Sequence, residues 1–391
     1  MDLTDFSLRE RINRLIHQRI QYLKSYKSGR CLYDCCTEQA ILSHTFSKEA
    51  SLRTIADNGQ LIHFKPQWKD DRCSLVFNTI GINEASAFHG FCQPHDSLFE
   101  NLDDGIINTE MDTILQVYRS ISKWIYINER SSKFQREYFT DLKDSRFDKS
   151  EKHVSSKILE LNNELVELSQ ELQEIIKLHC NSYNSILGRR KNIKIANRWS
   201  ILYVHLDYQI PVALCTNSCY GFHTSKGVTP TNIIWNVVPG ENKTDIMLIL
   251  DTSTINEYLL EKGHEYSVEG YWDLICQSDL TILECIEAAM MTNEEWYLSP
   301  KVYSSFSDEK KKAMEIDIRY KCFNNHIWDL VDYSIFDDIR SQLILKEDDA
   351  KIKKRAKVKL SFVPEMPSQN EIDAWEANLS QKIYDQSFYE H

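Results

Sequence analysis

The 391-residue chain sets 46 Lys and Arg against 58 Asp and Glu, a formal net charge of −12, which disfavours an enzyme of nucleic acid unless positive charge is locally concentrated. An apolar fraction of 42%, with only 11 Gly and 8 Pro, excludes a disordered or fibrous chain and supplies apolar side chains for two or three cores. The 11 cysteines are an odd number with three crowded at positions 31–36, which argues against a disulfide framework and for reduced thiols, some of them on metal.

Residues 7–27 read as an amphipathic helix. Ser7 and Glu10 have the spacing of a capping box, and Leu8, Ile12, Leu15, Ile16, Ile20 and Leu23 form its apolar stripe. Its outer face is basic, with Arg9, Arg11, Arg14, Arg19, Lys24, Lys27 and Arg30, as a solvated face or a phosphate-contacting one would be. Strand pieces are expected at 40–46 and 60–64 around a short helix at 48–58, with Asn58-Gly59 as a turn. Residues 65–80 look like an insertion, and Cys73 within it is read as a plain thiol. No run of about 18 apolar residues exists, and charges stand where a signal peptide would have its apolar core, so the expected location is the cytoplasm.

From 107 the pattern is helical, with Met111, Ile114, Leu115, Tyr118, Ile121, Trp124 and Ile125 on one side. A heptad seam follows, carrying Val154, Ile158, Leu161, Leu165, Leu168, Leu172 and Ile175. It pairs either with the 109–140 helix as a hairpin or with its twin in a homodimer through 154–175. Gly188 and the run Arg189-Arg190-Lys191-Asn192-Ile193-Lys194 mark a boundary. β-Branched stretches then follow at 200–206, 210–215, 232–238 and 245–250, with a hairpin loop at 239–243. Helices are expected at 254–262, 269–292, 308–348 and 369–384. The basic run 351–359 alternates Lys351, Lys353, Arg355, Lys357 and Lys359, as one face of an exposed strand would.

Structural zinc takes four soft or borderline ligands, delivered as two close pairs. Cys31 with Cys36 or Cys35 offers one pair, and Cys92 with His95 the other. His44 follows the first pair on the presumed strand, and Asp96 directly follows His95. The order of a Cys pair, a strand ending in His, a loop Asn and a second pair followed by a metal-binding residue resembles the HNH nuclease family. The stretch Ser43-His44-Thr45-Phe46-Ser47-Lys48 resembles the segment around that family's base.

The resemblance covers about 31–99. It implies a zinc-stapled ββα (treble-clef) finger in which His44 is the general base, Asn83 the middle Asn, with Ser86 as rival occupant, and Asp96 a ligand for catalytic Mg²⁺ or Mn²⁺. Ser43 stands where the family commonly has an acidic residue.

Elsewhere the signals are thinner. Cys215, Cys219 and His223 recur every four residues but lack a fourth ligand, which favours buried thiols over a metal site. Asp207, Asp245, Asp251, Glu284 and Glu287 make no paired motif, and the last two flank Cys285 on an expected exposed helix face. No Gly-rich phosphate loop supports an ATPase or GTPase.

The sequence therefore predicts an α+β protein in three parts. Residues 1–105 would hold the basic helix and zinc finger, 106–190 a helical hairpin or coiled-coil segment, and 191–391 a mixed α/β region. The implied activity is metal-dependent endonuclease cleavage of DNA or RNA, and one small nuclease head on a larger region resembles single-chain effectors of bacterial anti-phage defence. The other reading is a non-catalytic zinc module that binds nucleic acid or a protein partner.

Overall fold

The computed structural model describes residues 29–69, 72–139, 162–178, 183–224, 227–252, 255–256, 276–291, 295–320 and 332–362, together with positions 368, 370, 371 and 374. The expected basic helix at 7–27, the seam positions Val154, Ile158 and Leu161, and nearly all of the expected helices at 254–262 and 369–384 lie outside the described residues.

The fold is α+β. In chain order, β1 is Leu42–His44, β2 Gln60–Lys69, β3 Arg72–Gly81 and β4 Ala87–His89. Helical turns at Lys48–Leu52 and Arg53–Ile55 separate β1 from β2. After β4 come α1, Gln93–Asp96, and α2, Glu100–Asp103. The long α3, Glu110–Phe139, and α4, residues 162–177, precede the strands β5 Arg190–Ile195, β6 Trp199–Leu206, β7 Val212–Thr224, β8 Gly227–Pro239 and β9 Thr244–Asp251. Then follow α5 Asp279–Met290, β10 Trp296–Leu298, α6 Pro300–Ser305, α7 Asp308–Tyr320, α8 Asp337–Lys346 and α9 Ala350–Ser361.

Among the described residues, strands β1 and β4 pair only with each other, and the other eight form one antiparallel sheet in the order β3-β2-β10-β7-β8-β9-β6-β5. The stretch 60–81 is thus not an appendage of the finger. It leaves between β1 and β4 as a hairpin and joins the large sheet, so residues on both sides of 105 and of 190 share one sheet.

Alternation along the strands sends side chains to two different cores. Leu202, Val204 and Leu206 of β6 face the core shared with α5, α7, α8 and α9, whereas Trp199, Ile201 and Tyr203 face the core shared with α3, α4 and the finger. Covering both faces explains why these antiparallel strands read as continuous apolar runs. On α4, Leu165, Leu168 and Leu172 are buried in the chain's own core. Over its described part, the seam considered for a homodimer is spent inside the chain.

Two expectations change. The run 351–359 is the helix α9, not a strand: Asp349 caps it by accepting from Lys351 N and Ile352 N, and Ile352, Ala356 and Lys359 recur at helical spacing on the buried side. Glu284 and Glu287 are buried, not exposed. The fully buried Arg340 pairs with both of them, at 3.5 Å to Glu284, and Arg355 reaches Glu284 at 2.9 Å. Glu287 also accepts from Ile335 N and Phe336 N at 2.8 and 3.2 Å. Burial pushes its carboxyl pKa up against the pull of Arg340 and these amides.

Two stability predictions follow from this packing. Arg340→Ala leaves two buried carboxylates uncompensated and is expected to cost about 3–5 kcal/mol, read from the shift in urea midpoint. Trp296→Ala empties the junction between β2 and β7, where the indole packs on Phe64 with ring centroids 5.1 Å apart and donates to Met290 O at 2.7 Å. Its expected cost is also about 3–5 kcal/mol, and a midpoint unchanged from the parent would contradict that role.

Candidate functional site

The chain enters the site through a knuckle. Cys31 N donates to Glu38 O at 2.9 Å and Cys36 N to Tyr33 O at 3.1 Å, while Leu32 N and Ile41 N reach Gly90 O and Phe91 O across the β4 end. This pinning places the first cysteines beside the segment that leaves β4. Cys92 then caps α1 with Pro94 in the first turn, which brings His95 back over Cys92 one turn later.

The donor atoms of Cys31, Cys36, Cys92 and His95 all lie within 4.8 Å of one another. Cys36 Sγ is 3.8 Å from Cys92 Sγ, and His95 Nδ1 is 3.1 Å from Cys92 Sγ and 3.4 Å from Cys31 Sγ. A tetrahedral ion with bonds of about 2.3 Å to sulfur and 2.0 Å to nitrogen requires edges of about 3.8 Å between sulfurs and 3.5 Å from sulfur to nitrogen. The donor set and its spacing fit a bound metal ion.

Cys35, an expected alternative ligand, lies outside this cluster. Its φ of +60° turns the chain, and its exposed thiol donates to Asp34 Oδ2 at 3.4 Å. Burial, reinforced by Cys92, raises the Cys31 thiol to about 12 despite backbone amides that lower it. A cation is what allows such crowded thiols to lose their protons.

A second layer steadies the ligands. Tyr33 stacks on His95 at 3.9 Å and 9°, Lys177 of α4 lies 5.5 Å from the Tyr33 ring, and Gln173 Oε1 accepts from Asp34 N at 2.7 Å. Sequence reading missed these partners because Asp34 and Gln173 are separated by 139 positions, and no motif links them.

His44 ends β1, where it is opposite Ala87 of β4. It is 8% exposed, and its Nε2 lies 3.0 Å from Asn83 O. A carbonyl only accepts, so Nε2 carries the hydrogen and Nδ1 holds the lone pair. Burial lowers the His44 pKa below its ordinary 6.5. Lys48 and Arg119 lower it further, while the Asn83 carbonyl and Asp96 oppose the shift. Asp96 follows the cluster residue His95 on α1, and its Oδ1 is buried without a hydrogen-bond partner.

Asn83 contributes its backbone carbonyl to His44, and its residue is exposed. Ser86, the other expected occupant, has φ +60° and uses its carbonyl for Thr45 N at 3.1 Å. Ser43 is buried, and its Oγ accepts from Phe91 N at 3.3 Å, tying β1 to the chain beyond β4. Cys215 is buried in the core near α3, and among the described residues it joins no metal-holding cluster.

Metal analysis of the purified chain tests the donor set. About one equivalent of a thiophilic ion is expected in the parent and in Cys35→Ser, and a loss of at least tenfold in affinity in Cys36→Ser and Cys92→Ser. Full retention by either of the last two would exclude the four-ligand cluster. Comparison of the chain with protein-family models, with curated proteins and with solved structures finds no match.

Proposed function

We propose that this chain is a metal-dependent endonuclease of the HNH type. In this reading Cys31, Cys36, Cys92 and His95 hold a structural zinc ion, and His44 and Asp96 form the reacting centre. The observation that carries it is the pairing of two complementary groups on one small unit. His44 has its tautomer set by the Asn83 carbonyl, and Asp96, within electrostatic reach of His44, keeps an oxygen buried without a donor.

Each group suits its role. A neutral imidazole with Nδ1 open can take a proton from water, and its burial keeps it neutral at pH 7. Asp96 Oδ1 is a hard oxygen ligand lacking any protein donor, the kind that suits Mg²⁺ or Mn²⁺. A divalent ion bound there supplies the positive charge that polarises a phosphodiester and stabilises the leaving oxygen. Lys48, exposed at the start of the helical turn that follows β1, adds positive charge within electrostatic reach of His44.

Thiolate donors in a tetrahedral arrangement favour zinc for the staple over harder ions. Asn83 is a positioning residue in this reading, acting through its main chain. The role in bacterial anti-phage defence follows only by analogy with single-chain effectors that carry a small nuclease head.

The alternative, a non-catalytic zinc module, draws on Ser43. The place of a family acid is taken by a hydroxyl already engaged with Phe91 N, so the site has one carboxylate fewer for a divalent ion.

The two readings part in a plasmid-nicking and RNA-cleavage assay with Mg²⁺ or Mn²⁺. His44→Ala is expected to lose about 10²- to 10⁴-fold in rate, whereas Asn83→Ala keeps its carbonyl and most of the activity. The parent rate should fall on acidification as His44 protonates, with a midpoint below 6.5 because its pKa is lowered. Cleavage that survives His44→Ala unchanged, or no cleavage by the parent with either ion, sinks the nuclease reading.

A further inference from the structure

Helix α9 concentrates positive charge in a chain of net charge −12. Its twelve residues, Ala350–Ser361, contain Lys351, Lys353, Lys354, Arg355, Lys357 and Lys359 and no acid, the nearest being its cap Asp349. Helical geometry sorts these cations into two sets. Lys359 lies on the side of Ile352 and Ala356, against the core, and Arg355 stands at the edge of that side, about half exposed. Arg355 pairs with buried Glu284 at 2.9 Å, and Lys359 is buried, its pKa lowered by that burial while Glu284 and Glu287 oppose the shift. The inward cations are therefore matched by the carboxylates of α5.

The outward set is not matched. Lys351, Lys354 and Lys357 are exposed and spaced every three residues; the cap Asp349 is within electrostatic reach of Lys351, but among the described residues no acidic side chain forms an ion pair with any of the three. Lys353, half-buried, lends its ammonium to Glu347 O at 3.1 Å. Three like charges on one helical face repel one another by a few tenths of a kcal/mol per pair. The fold tolerates this repulsion while neutralising the inward cations next to it.

We propose that the outer face of α9 is a docking surface for the sugar-phosphate backbone of duplex DNA. The argument is charge complementarity at matching scale. A twelve-residue helix spans about 18 Å, which faces about five phosphates of one strand at about 3.4 Å each along the duplex axis. A lipid surface fits less well: Ile352 and Ala356 point into the protein, and the exposed apolar side chains here, Val358 and Phe362 at the C-terminal cap, are too few to form the continuous apolar stripe of membrane-surface helices. Unpaired nucleic acid fits less well too, because the exposed aromatic ring at this helix is Phe362 at its C-terminal cap, and the positions of Lys351, Lys354 and Lys357 carry no row of rings on which successive bases could stack. The surface is separate from the His44 site and does not depend on cleavage there.

The test is fluorescence anisotropy of a labelled, random-sequence DNA duplex of about 20 base pairs, without divalent ions so that no cleavage intervenes. The triple variant Lys351→Gln, Lys354→Gln, Lys357→Gln is compared with the parent and with a control, Lys301→Gln, Lys312→Gln, Lys346→Gln, that removes the same charge from exposed positions elsewhere. Near about 50 mM salt the α9 variant is expected to bind at least about tenfold more weakly. The slope of log affinity against log salt should be shallower by about 3, with the control close to the parent. Equal weakening by both variants, an unchanged slope, or a parent that binds no duplex overturns the proposal. So does a parent that binds only duplex RNA, phosphatidylserine vesicles or a poly-glutamate peptide. Loss of duplex binding alongside intact cleavage by the parent would sink this surface and leave the nuclease reading standing. Intact binding with no cleavage would do the reverse.

Discussion

Strand β10 is three residues long, and the architecture turns on it. One side pairs with β7 at Trp296, Tyr297 and Leu298, and the other meets β2 at the single register point Leu298 to Ile62. Without it the hairpin β2–β3 would be an isolated two-stranded ribbon, which is at best marginally stable in water. Side chains reinforce so short a ladder. Trp296 fills the face beneath Phe64 and Phe77, and Glu295, just before the strand, forms an ion pair with Lys123 of α3. The Lys123 ammonium is buried, and it also sits 5.7 Å from the Tyr297 ring. The finger's inserted hairpin, the long helix and the main sheet thus meet within three residues.

That junction changes what the finger is. Its β1–β4 pair is only three residues on each strand and cannot stand as an independent sheet. Three things hold it: the knuckle contacts from 31–41 to 90–91, the packing of Phe91 and Phe99 on Tyr118 and of Phe88 on Tyr126 of α3, and the hairpin that runs from its middle into the large sheet. The candidate ligands Cys92 and His95 sit at the start of α1, between two of these supports. A reacting group on such a unit is positioned by packing with distant parts of the chain, which is the condition for holding it to within a fraction of an ångström.

Much of the candidate site was legible because soft ligands are rare and their spacing constrains geometry. Cys31, Cys36, Cys92 and His95 converge as their intervals suggested, and His44 falls on the strand expected of it, whereas the short helix that carries Asp96 was not foreseen. What was not legible depended on distant partners. Cys35 and Cys36 are adjacent, and the choice between them lies in a positive φ that composition does not encode. Glu284 and Glu287 resemble a solvated face because charged residues in helices usually are one. Their burial follows from Arg340, more than fifty positions away. The alternating lysines of 351–359 suited a strand by period, yet Ile352, Ala356 and the Asp349 cap carry the weaker, correct helical signal. The run at 65–80 looked like an insertion because it pairs within its own hairpin, and the link of that hairpin to the large sheet, Ile62 opposite Leu298 of the short β10, comes from more than two hundred residues later.

The same buried carboxylates link the chain's charge balance to its fold. An acidic total of −12 suggests a surface hostile to polyanions, but net charge counts side chains wherever they lie. Glu284 and Glu287 are in the interior, with their charges directed at buried Arg340 and Lys359 and at half-exposed Arg355, so neither carboxylate presents its charge to solvent. Spending acids on inward cations leaves the outward lysines of α9 as a local positive field, within a screening length of about 8–10 Å at physiological salt. Over that distance a polyanion responds to the nearest few ammonium groups more than to the molecular sum. What decides whether this protein can meet a phosphate backbone is therefore the sorting of cations between the two sides of one helix, and that sorting is set by the register of Ile352 and Ala356 against the core.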